Sequence, residues 1–144
     1  MTSGYLVDTN VLSELMRDAP AAAVMDWFAR HAADPVFVSS ITQAEILTGI
    51  ALLPAGKRRD ALANAAQALF EADLAGQRLD FGSAAARHCA IIRAHRHRTG
   101  RPISTEDAQI AAIALAAGLP LVTRNTKDFA DIDSLRLLNP WQDH

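Results

Sequence analysis

A short apolar segment that ends in an acid is the feature that most constrains how this chain can fold. Tyr5, Leu6 and Val7 suit a buried strand, and Asp8 follows them directly. A helical pattern of apolar residues begins at Val11, so the acid marks a junction between a strand and a helix. Because open α/β sheets bind their ligands at the carboxyl ends of strands, Asp8 is expected to lie at a functional edge of a sheet.

The rest of the chain alternates short apolar segments with longer helical patterns. Strands of three to five residues are predicted at 4–7, 35–38, 77–81, 121–123 and 135–138. Helices are predicted between them, at 11–16, 22–33, 40–53, 57–75, 83–99, 104–117 and 126–129. This order favours an α/β sandwich with a mainly parallel sheet. A chain of 144 residues is expected to form a single domain, residues 1–144.

The composition excludes several classes of protein. The net charge of −2 indicates no general polyanion-binding surface, so any basic patch has to be local. The single cysteine, Cys89, excludes an internal disulfide framework and fits a reducing cytosol. The longest apolar run, 108–122, is interrupted by Gln109, Gly118 and Pro120, and a membrane span needs about 20 apolar residues. With no secretory signal evident, a cytoplasmic protein without membrane contact is expected.

Four of the 16 acidic residues have neighbours that set them apart. Asp8 ends an apolar strand, and Glu45 lies among apolar residues near the start of a helix. Asp107 opens the most apolar helix, and Asp128 comes just after the fourth predicted strand. Each acid alone could cap a helix, complement a helix dipole or face solvent. Helix N-termini and strand carboxyl ends share one edge of an α/β sheet, so the four together are expected to converge there.

Convergence of four carboxylates implies a bound cation. Without one, the acids would raise one another's pKa values and destabilise the fold. Magnesium prefers oxygen ligands and keeps several waters, so one or two direct carboxylates suffice. With a phosphodiester as substrate, such a site ionises a water and stabilises the leaving oxygen. Hydroxyl and amide groups that could hold waters or phosphate oxygens come from Thr9, Asn10, Thr123 and Asn125.

The same acids lie in four motifs that resemble those of PIN domain proteins. Residues 5–15, Tyr-Leu-Val-Asp-Thr-Asn-Val-Leu-Ser-Glu-Leu, resemble the first motif, and residues 39–50 resemble the second, with Glu45 in the acidic position. Residues 103–114 and 121–129 resemble the third and fourth motifs, with Asp107 and Asp128. The Ser-Glu-Leu and Thr-Arg-Asn sequences within them are most similar to the VapC and FitB-type toxins of bacterial toxin–antitoxin pairs.

The resemblance implies a three-layer α/β/α sandwich with a short, mainly parallel sheet of about five strands. It implies an endoribonuclease dependent on magnesium (Mg²⁺) or manganese (Mn²⁺), with Asp8, Glu45, Asp107 and Asp128 as catalytic residues and metal ligands. We expect Asp8 and Asp107 to bind the metal most directly, with Glu45 as a ligand or the general base. The resemblance also implies a homodimer and a cognate antitoxin whose C-terminal segment covers or enters the active site. Larger assemblies on DNA would form through the antitoxin.

The densest basic run lies at the end of the fifth predicted helix. Its members are Arg93, His95, Arg96, His97, Arg98 and, just beyond, Arg101. One interpretation is that these arginines contact the RNA backbone, because phosphate neutralisation dominates nucleic-acid affinity. The other is that cations near a helix C-terminus complement its dipole. Both interpretations stay open on the sequence.

Two other functions compete with a nuclease. An aspartyl-phosphate phosphatase would use Asp8 as its nucleophile, but that chemistry usually places a second Asp two residues later, where this chain has Asn10. A non-catalytic binding module would use the acids only to cap helices. Metal-dependent cleavage of RNA would separate the nuclease from both alternatives.

Overall fold

A five-stranded sheet lies at the centre of the protein. The computed structural model describes residues 3–143, so Met1, Thr2 and His144, at the ends of the predicted 1–144 domain, lie outside the described residues. The strands are β1 (Tyr5–Val7), β2 (Val36–Ser39), β3 (Arg78–Leu79), β4 (Leu121–Val122) and β5 (Leu137–Leu138). Their order is β3-β2-β1-β4-β5, and all four pairings are parallel. The predicted parallel sheet is therefore confirmed.

Helices connect successive strands along most of the chain. They are α1 (Thr9–Leu15), α2 (Ala22–Arg30), α3 (Ser40–Ala51), α4 (Lys57–Ala68), α5 (Ser83–Arg98), α6 (Thr105–Ala117) and α7 (Thr126–Phe129). Among residues 3–143, no helix has both the length and the apolar character needed to cross a membrane.

The two faces of the sheet pack against different sets of helices. Leu6 and Leu121 point to one face, where they join apolar residues of α5 and α6. Val7 and Val122 point to the other face, where they pack with residues of α1, α2 and α4, including the fully buried Trp27. Because successive strand residues alternate between faces, three-residue strands can supply both cores. The three-layer α/β/α sandwich is confirmed.

The helix predicted at 57–75 changes its winding after Ala68. A π-helical segment, Leu69–Asp73, follows α4, and the Leu74 amide donates to the Leu69 carbonyl at 2.8 Å. The buried residues Ala66, Phe70 and Leu74 repeat every four positions, which exceeds the 3.6 residues of an α-helical turn. The wider π turn keeps all three side chains directed at the core.

Gly4 allows β1 to begin beside β2. Its φ of +111° favours glycine, and a Cβ added there would lie 2.5 Å from the Pro35 carbonyl oxygen. That same oxygen accepts a hydrogen bond from the Tyr5 amide at 3.2 Å. We therefore expect Gly4→Ala to lower the free energy of unfolding by about 2 kcal/mol in urea titrations. Gly49→Ala is the matched control.

Gly49 lies inside α3, and a Cβ there would meet no described atom within 4 Å apart from its chain neighbours and the backbone of its own helix. Alanine at this position should raise the free energy of unfolding by about 0.5–1 kcal/mol, because glycine is the poorer helix former. Equal stability of Gly4→Ala and the unmodified protein would show that the contact with Pro35 does not constrain the chain.

Candidate active site

The carboxyl ends of β1 and β4 form the centre of the candidate site. The chain proceeds from β1 to β2 on one side of the sheet and from β4 to β5 on the other, so the order reverses between β1 and β4. Such a reversal opens a crevice at the carboxyl ends of the strands, where α/β sheets bind ligands. Asp8 directly follows β1, and Thr123 directly follows β4.

Asp8 is buried, and both of its carboxylate oxygens accept hydrogen bonds. Its Oδ1 accepts from the Thr9 amide at 2.8 Å, and its Oδ2 accepts from the Thr123 hydroxyl at 2.8 Å. The side-chain amide of Asn10 donates to Oδ2 at 3.3 Å. Asp8 is thus the N-cap of α1. Asp8 both caps the helix and belongs to the candidate site. Its Oδ1 accepts from the first amide of α1, whereas its Oδ2 accepts from Thr123, which follows β4.

The environment of Asp8 opposes its negative charge. Burial raises the pKa of Asp8 above its ordinary value, and the charge of Glu45 raises it further. Hydrogen bonds from Thr123, the Thr9 amide and Asn10 lower the pKa and offset part of that effect. A cation near Asp8 would favour the charged form and remove the remaining penalty.

Glu45 reaches the crevice from the second turn of α3. Ser39 caps this helix, because its hydroxyl accepts from the Thr42 amide at 3.0 Å, and Ser40 is the first residue of the helix. The Thr9 hydroxyl donates to Glu45 Oε1 at 2.6 Å. It also lies 2.9 Å from the hydroxyl of the buried Thr42, which must then be the donor. A chain of two hydroxyls therefore orients the exposed Glu45.

Asp107 enters the site from the first turn of α6. Ser104 caps this helix, and its hydroxyl accepts from the Asp107 amide at 3.1 Å. Burial, followed by the charges of Asp8, Asp128 and Glu45, raises the pKa of Asp107 to about 6, although the hydrogen bond with Ser104 lowers it in part. All three other predicted acids therefore act on the carboxyl group of Asp107. The structure brings the four side chains to one edge of the sheet.

Asp128 is carried by α7, a helix of only four residues. Its amide donates to the Asn125 carbonyl at 3.0 Å, and its exposed side chain lies beside the buried Phe129. Asn125 begins this helix without a side-chain cap, and its amide donates to the Thr123 hydroxyl at 3.1 Å. Thr123 thus connects the turn before Asp128 to the carboxylate of Asp8.

The donor set of the site suits a hard divalent cation. Carboxylate, hydroxyl and amide oxygens surround the crevice, which is the ligand chemistry of Mg²⁺ and Mn²⁺. Within residues 3–143, however, no three acidic, histidine or cysteine side chains stand at the spacing of a formed metal site. Burial and then the charges of Asp8, Asp128 and Glu45 oppose the charged form of Asp107, and a cation among these acids would favour that form. The chemistry of the residues therefore fits such a metal.

Asn10 separates this site from that of an aspartyl-phosphate phosphatase. Its side-chain amide donates to Asp8, and its Oδ1 accepts from the Arg124 amide at 3.3 Å. Asn10 therefore cannot act as the general acid that such a phosphatase places two residues after its nucleophile. Both oxygens of Asp8 are also engaged, which disfavours Asp8 as a nucleophile.

The predicted RNA-contact arginines differ in their surroundings. Arg93 and Arg98 are exposed on α5 and stay candidates for that role. Arg101 is also exposed, but its guanidinium forms a 2.8 Å ion pair with Asp131. Arg96 is buried, with 4% of its surface exposed, so the prediction that it contacts RNA is wrong. Helical spacing from Cys89 and Ile92 places Arg96 on the core side of α5.

A groove of about 810 Å³ begins at Thr9 and Glu45 and was not predicted from the sequence. It runs between α1, α3 and α4, and its apolar lining includes Met16, Ile46, Ile50, Leu53 and Leu62. Arg17, Asp18 and Arg58 are the charged residues of its wall, in addition to Glu45 at its end. No local pattern signals the groove, because three helices distant in sequence form it together.

Two further charged residues near the site were missed. Arg124 lies over the ring of Trp141 at 4.7 Å, beside the acidic edge, and the pairing joins residues too far apart for a motif to reveal. Glu14 is a buried acid whose Oε2 accepts from the Ala21 amide at 2.8 Å. That bond, followed by the contribution of Arg17, lowers the pKa of Glu14, so this acid stays charged and fixes the corner between α1 and α2.

Comparison with known proteins gives a consistent set of similarities. A family model described as PIN domain matches residues 5–135. The chain is 37% identical to the VapC ribonuclease Y4jK of Sinorhizobium fredii, over 95% of this chain and 97% of that protein. It is 36% identical to toxin FitB of Neisseria gonorrhoeae, over 96% of this chain and 99% of that protein.

Similarity to a solved structure extends to the fold. The structure of FitAB bound to an IR36 DNA fragment contains a chain that superposes on this one with a TM-score of 0.83 and 33% sequence identity. The superposition covers 97% of each chain. The two chains therefore share this fold over almost their whole length.

Proposed function

The chain belongs to the PIN domain family, within which it is similar to VapC and FitB toxins, and on that premise we propose that it is a ribonuclease toxin that requires a divalent cation. The observation that carries the proposal is the convergence of four carboxylates where the sheet order reverses, reported by the effect of Asp8, Asp128 and Glu45 on the pKa of Asp107. A group of acids that oppose one another's charge at a ligand-binding crevice calls for a cation.

Asp8 and Asp107 would hold Mg²⁺ or Mn²⁺ most directly, and Asp128 would complete the site directly or through water. The bound metal supplies an ionised water and neutralises charge on the leaving oxygen of a phosphodiester. Thr9 and Thr123 fix the carboxylate of Asp8 through its two oxygens. The expected products carry a 3′-hydroxyl and a 5′-phosphate, because the attack by water needs no ribose 2′-oxygen.

Glu45 has two possible roles that its geometry supports equally. Its Oε1 accepts from the Thr9 hydroxyl, whereas its Oε2 has no such donor among the hydrogen bonds of the described residues. Oε2 is therefore the atom that would ligate the metal or take the proton of the attacking water. The exposure of Glu45 suits either role, since an incoming water or RNA chain can reach it.

We further propose that a cognate antitoxin inhibits the protein by occupying the groove that begins at Thr9 and Glu45. The apolar lining suits a partner segment with apolar side chains, and the exposed Arg58 could pair with an acidic side chain of that segment, whereas Arg17 already pairs with Glu14 at 3.1 Å. Such a segment would end at the four acids and block access of RNA. One relative is named toxin FitB, and a solved structure holds FitAB bound to a DNA fragment, which supports a larger toxin–antitoxin assembly on DNA. The homodimer stays a prediction.

Removal of the metal tests the nuclease proposal. We expect the purified protein to cleave end-labelled RNA in the presence of Mg²⁺ and to lose at least about 100-fold in rate with EDTA, because the metal supplies several kcal/mol of transition-state stabilisation. Excess Mg²⁺ or Mn²⁺ should restore the rate. Cleavage that is unaffected by the chelator would overturn the metal requirement, and the absence of any cleavage would favour a binding module.

A further inference from the structure

Arg96 is a buried cation whose contacts lead to one of the four acids. Its guanidinium Nη2 donates to the carbonyl oxygen of Asp128 at 2.6 Å and lies 2.7 Å from Oδ1 of Asp131. Nη1 donates to the Arg101 carbonyl at 3.4 Å. The guanidinium therefore links the last turn of α5 to Asp128, inside α7, and to Asp131, just after this helix.

This ion pair is poorly arranged for stability alone. Among residues 3–143, neither Arg96 Nε nor Asp131 Oδ1 has a hydrogen-bond partner, although both atoms are buried. The 2.7 Å approach of Arg96 and Asp131 is thus a charge contact without aligned hydrogen bonds. Buried ion pairs often stabilise a protein no more than apolar side chains would. The pair of Arg96 and Asp131 is therefore expected to have a role other than stability.

The helix that Arg96 holds cannot position Asp128 by itself. An isolated helix of four residues is unstable, so α7 depends on its tertiary contacts. One contact is the buried ring of Phe129, and another is the hydrogen bond from Arg96 to the Asp128 carbonyl. Because the Asp128 carboxylate is exposed, its backbone determines where the side chain meets the other acids.

We propose that Arg96 is a positioning residue of the active site, which fixes the Asp128 carboxylate for metal binding by clamping its backbone carbonyl. Asp131 is the counter-ion that keeps the guanidinium in place. This inference rests on the proposed metal-dependent nuclease function. Residues that orient metal ligands from outside the ligand set commonly change metal affinity by about 10- to 100-fold when replaced.

Two variants separate positioning from stability. Arg96→Lys keeps the positive charge, but a single ammonium cannot reach both carbonyls and Asp131 in the fork geometry of a guanidinium. The double variant Arg96→Met with Asp131→Leu replaces the buried guanidinium and its partly exposed counter-ion, which also pairs with the exposed Arg101, by apolar side chains. Such an exchange is often neutral for stability. It therefore tests the clamp in a protein that still folds. Arg87→Lys, an exposed exchange near the start of α5, is the matched control.

The experiment measures Mg²⁺ binding directly and cleavage separately. Mg²⁺ affinity is taken from the rise in melting temperature with Mg²⁺ concentration, and Mn²⁺ affinity from an electron paramagnetic resonance titration. We expect both Arg96 variants to bind metal about 10- to 100-fold more weakly and to recover part of their RNA cleavage at high Mg²⁺. Arg87→Lys should match the unmodified protein in metal affinity and cleavage.

Unchanged metal affinity in the folded double variant would overturn the positioning role, even if its melting temperature changed. A lower melting temperature with unaltered metal affinity in Arg96→Lys would likewise assign Arg96 to stability only. If the unmodified protein neither binds Mg²⁺ nor cleaves RNA, the nuclease proposal fails, and the inference about Arg96 fails with it. The two failures are therefore distinguishable.

Discussion

Replacing Asp8 by asparagine is expected to lower the rate of RNA cleavage by about 10³-fold. The variant removes the negative charge at the reversal of the sheet order, where the metal is proposed to bind. Metal-dependent stabilisation of charge in the transition state amounts to several kcal/mol, and each 1.36 kcal/mol changes a rate tenfold. The measurement is the initial rate of cleavage of labelled RNA at saturating Mg²⁺.

The fold of the Asp8→Asn variant should survive. Asparagine caps helices as well as aspartate does, so its side-chain oxygen can still accept from the Thr9 amide. The Thr123 hydroxyl, which donates to Asp8, can rotate and accept from the new amide group. Burial already opposes the charge of Asp8, so its loss carries little penalty. Circular dichroism and the urea midpoint should therefore stay close to those of the unmodified protein.

Asp80→Asn provides the matched control. Asp80 also follows a parallel strand, β3, on the same edge of the sheet, but β3 lies at the end of the strand order. It is exposed and does not contribute to the raised pKa values of Asp8 or Asp107. Its cleavage rate should equal that of the unmodified protein. Full activity of Asp8→Asn would remove Asp8 from the site, and a large loss in Asp80→Asn would show that any acid on this edge matters.

Much of the fold follows from local patterns in the sequence. The apolar triplet before Asp8 could only be a short buried strand, and the apolar surface of α6 required a central position between neighbours. The order of strands could not be obtained this way, because segments such as Leu121–Val122 and Leu137–Leu138 are too short to specify their partners. The alternation of strands and helices favoured a mainly parallel sheet, the resemblance to PIN domains implied about five strands, and the structure confirmed both.

The four acids of the candidate site could be predicted from the sequence, whereas the residues that hold them in place could not. Acids at strand ends and helix starts converge because parallel α/β topology brings those ends together. Arg96 shows the limit of reasoning from composition, since a run of basic residues looked like one charged surface. Helical spacing from Ile92 could have shown its burial, whereas its contact with Asp128 depends on packing between distant helices.

Asp107→Asn is expected to abolish cleavage and, at the same time, to stabilise the metal-free protein at neutral pH. The pKa of Asp107 is raised from 3.8 to about 6 by burial and by Asp8, Asp128 and Glu45. A folded-state pKa above the unfolded value means that the native state binds more protons between about pH 4 and 6. Stability from this group is therefore lost as the pH rises through about 6 and regained as the pH falls.

The difference in free energy of unfolding between Asp107→Asn and the unmodified protein isolates the titration of Asp107 from that of the other acids. Two pKa units correspond to about 3 kcal/mol, and partial exposure of Asp107 reduces this to about 1–2 kcal/mol. In EDTA, the variant should exceed the unmodified protein by that amount at pH 7.5, and the difference should vanish near pH 4. Urea titrations across this pH range provide the measurement. Asp60→Asn, at an exposed acid in the first turn of α4, should show no such pH-dependent difference.

Magnesium should reverse the order of stability at pH 7.5. A ligand that binds only the native state stabilises it by about 2.7 kcal/mol at 100 times its dissociation constant, so the unmodified protein gains free energy that Asp107→Asn cannot. The cation thereby turns a repulsive group of acids into a stabilising one. A variant that is less stable than the unmodified protein at every pH in EDTA would contradict this account. It would assign the Asp107 carboxylate to the packing or capping of α6 and not to a site whose stability depends on a bound cation.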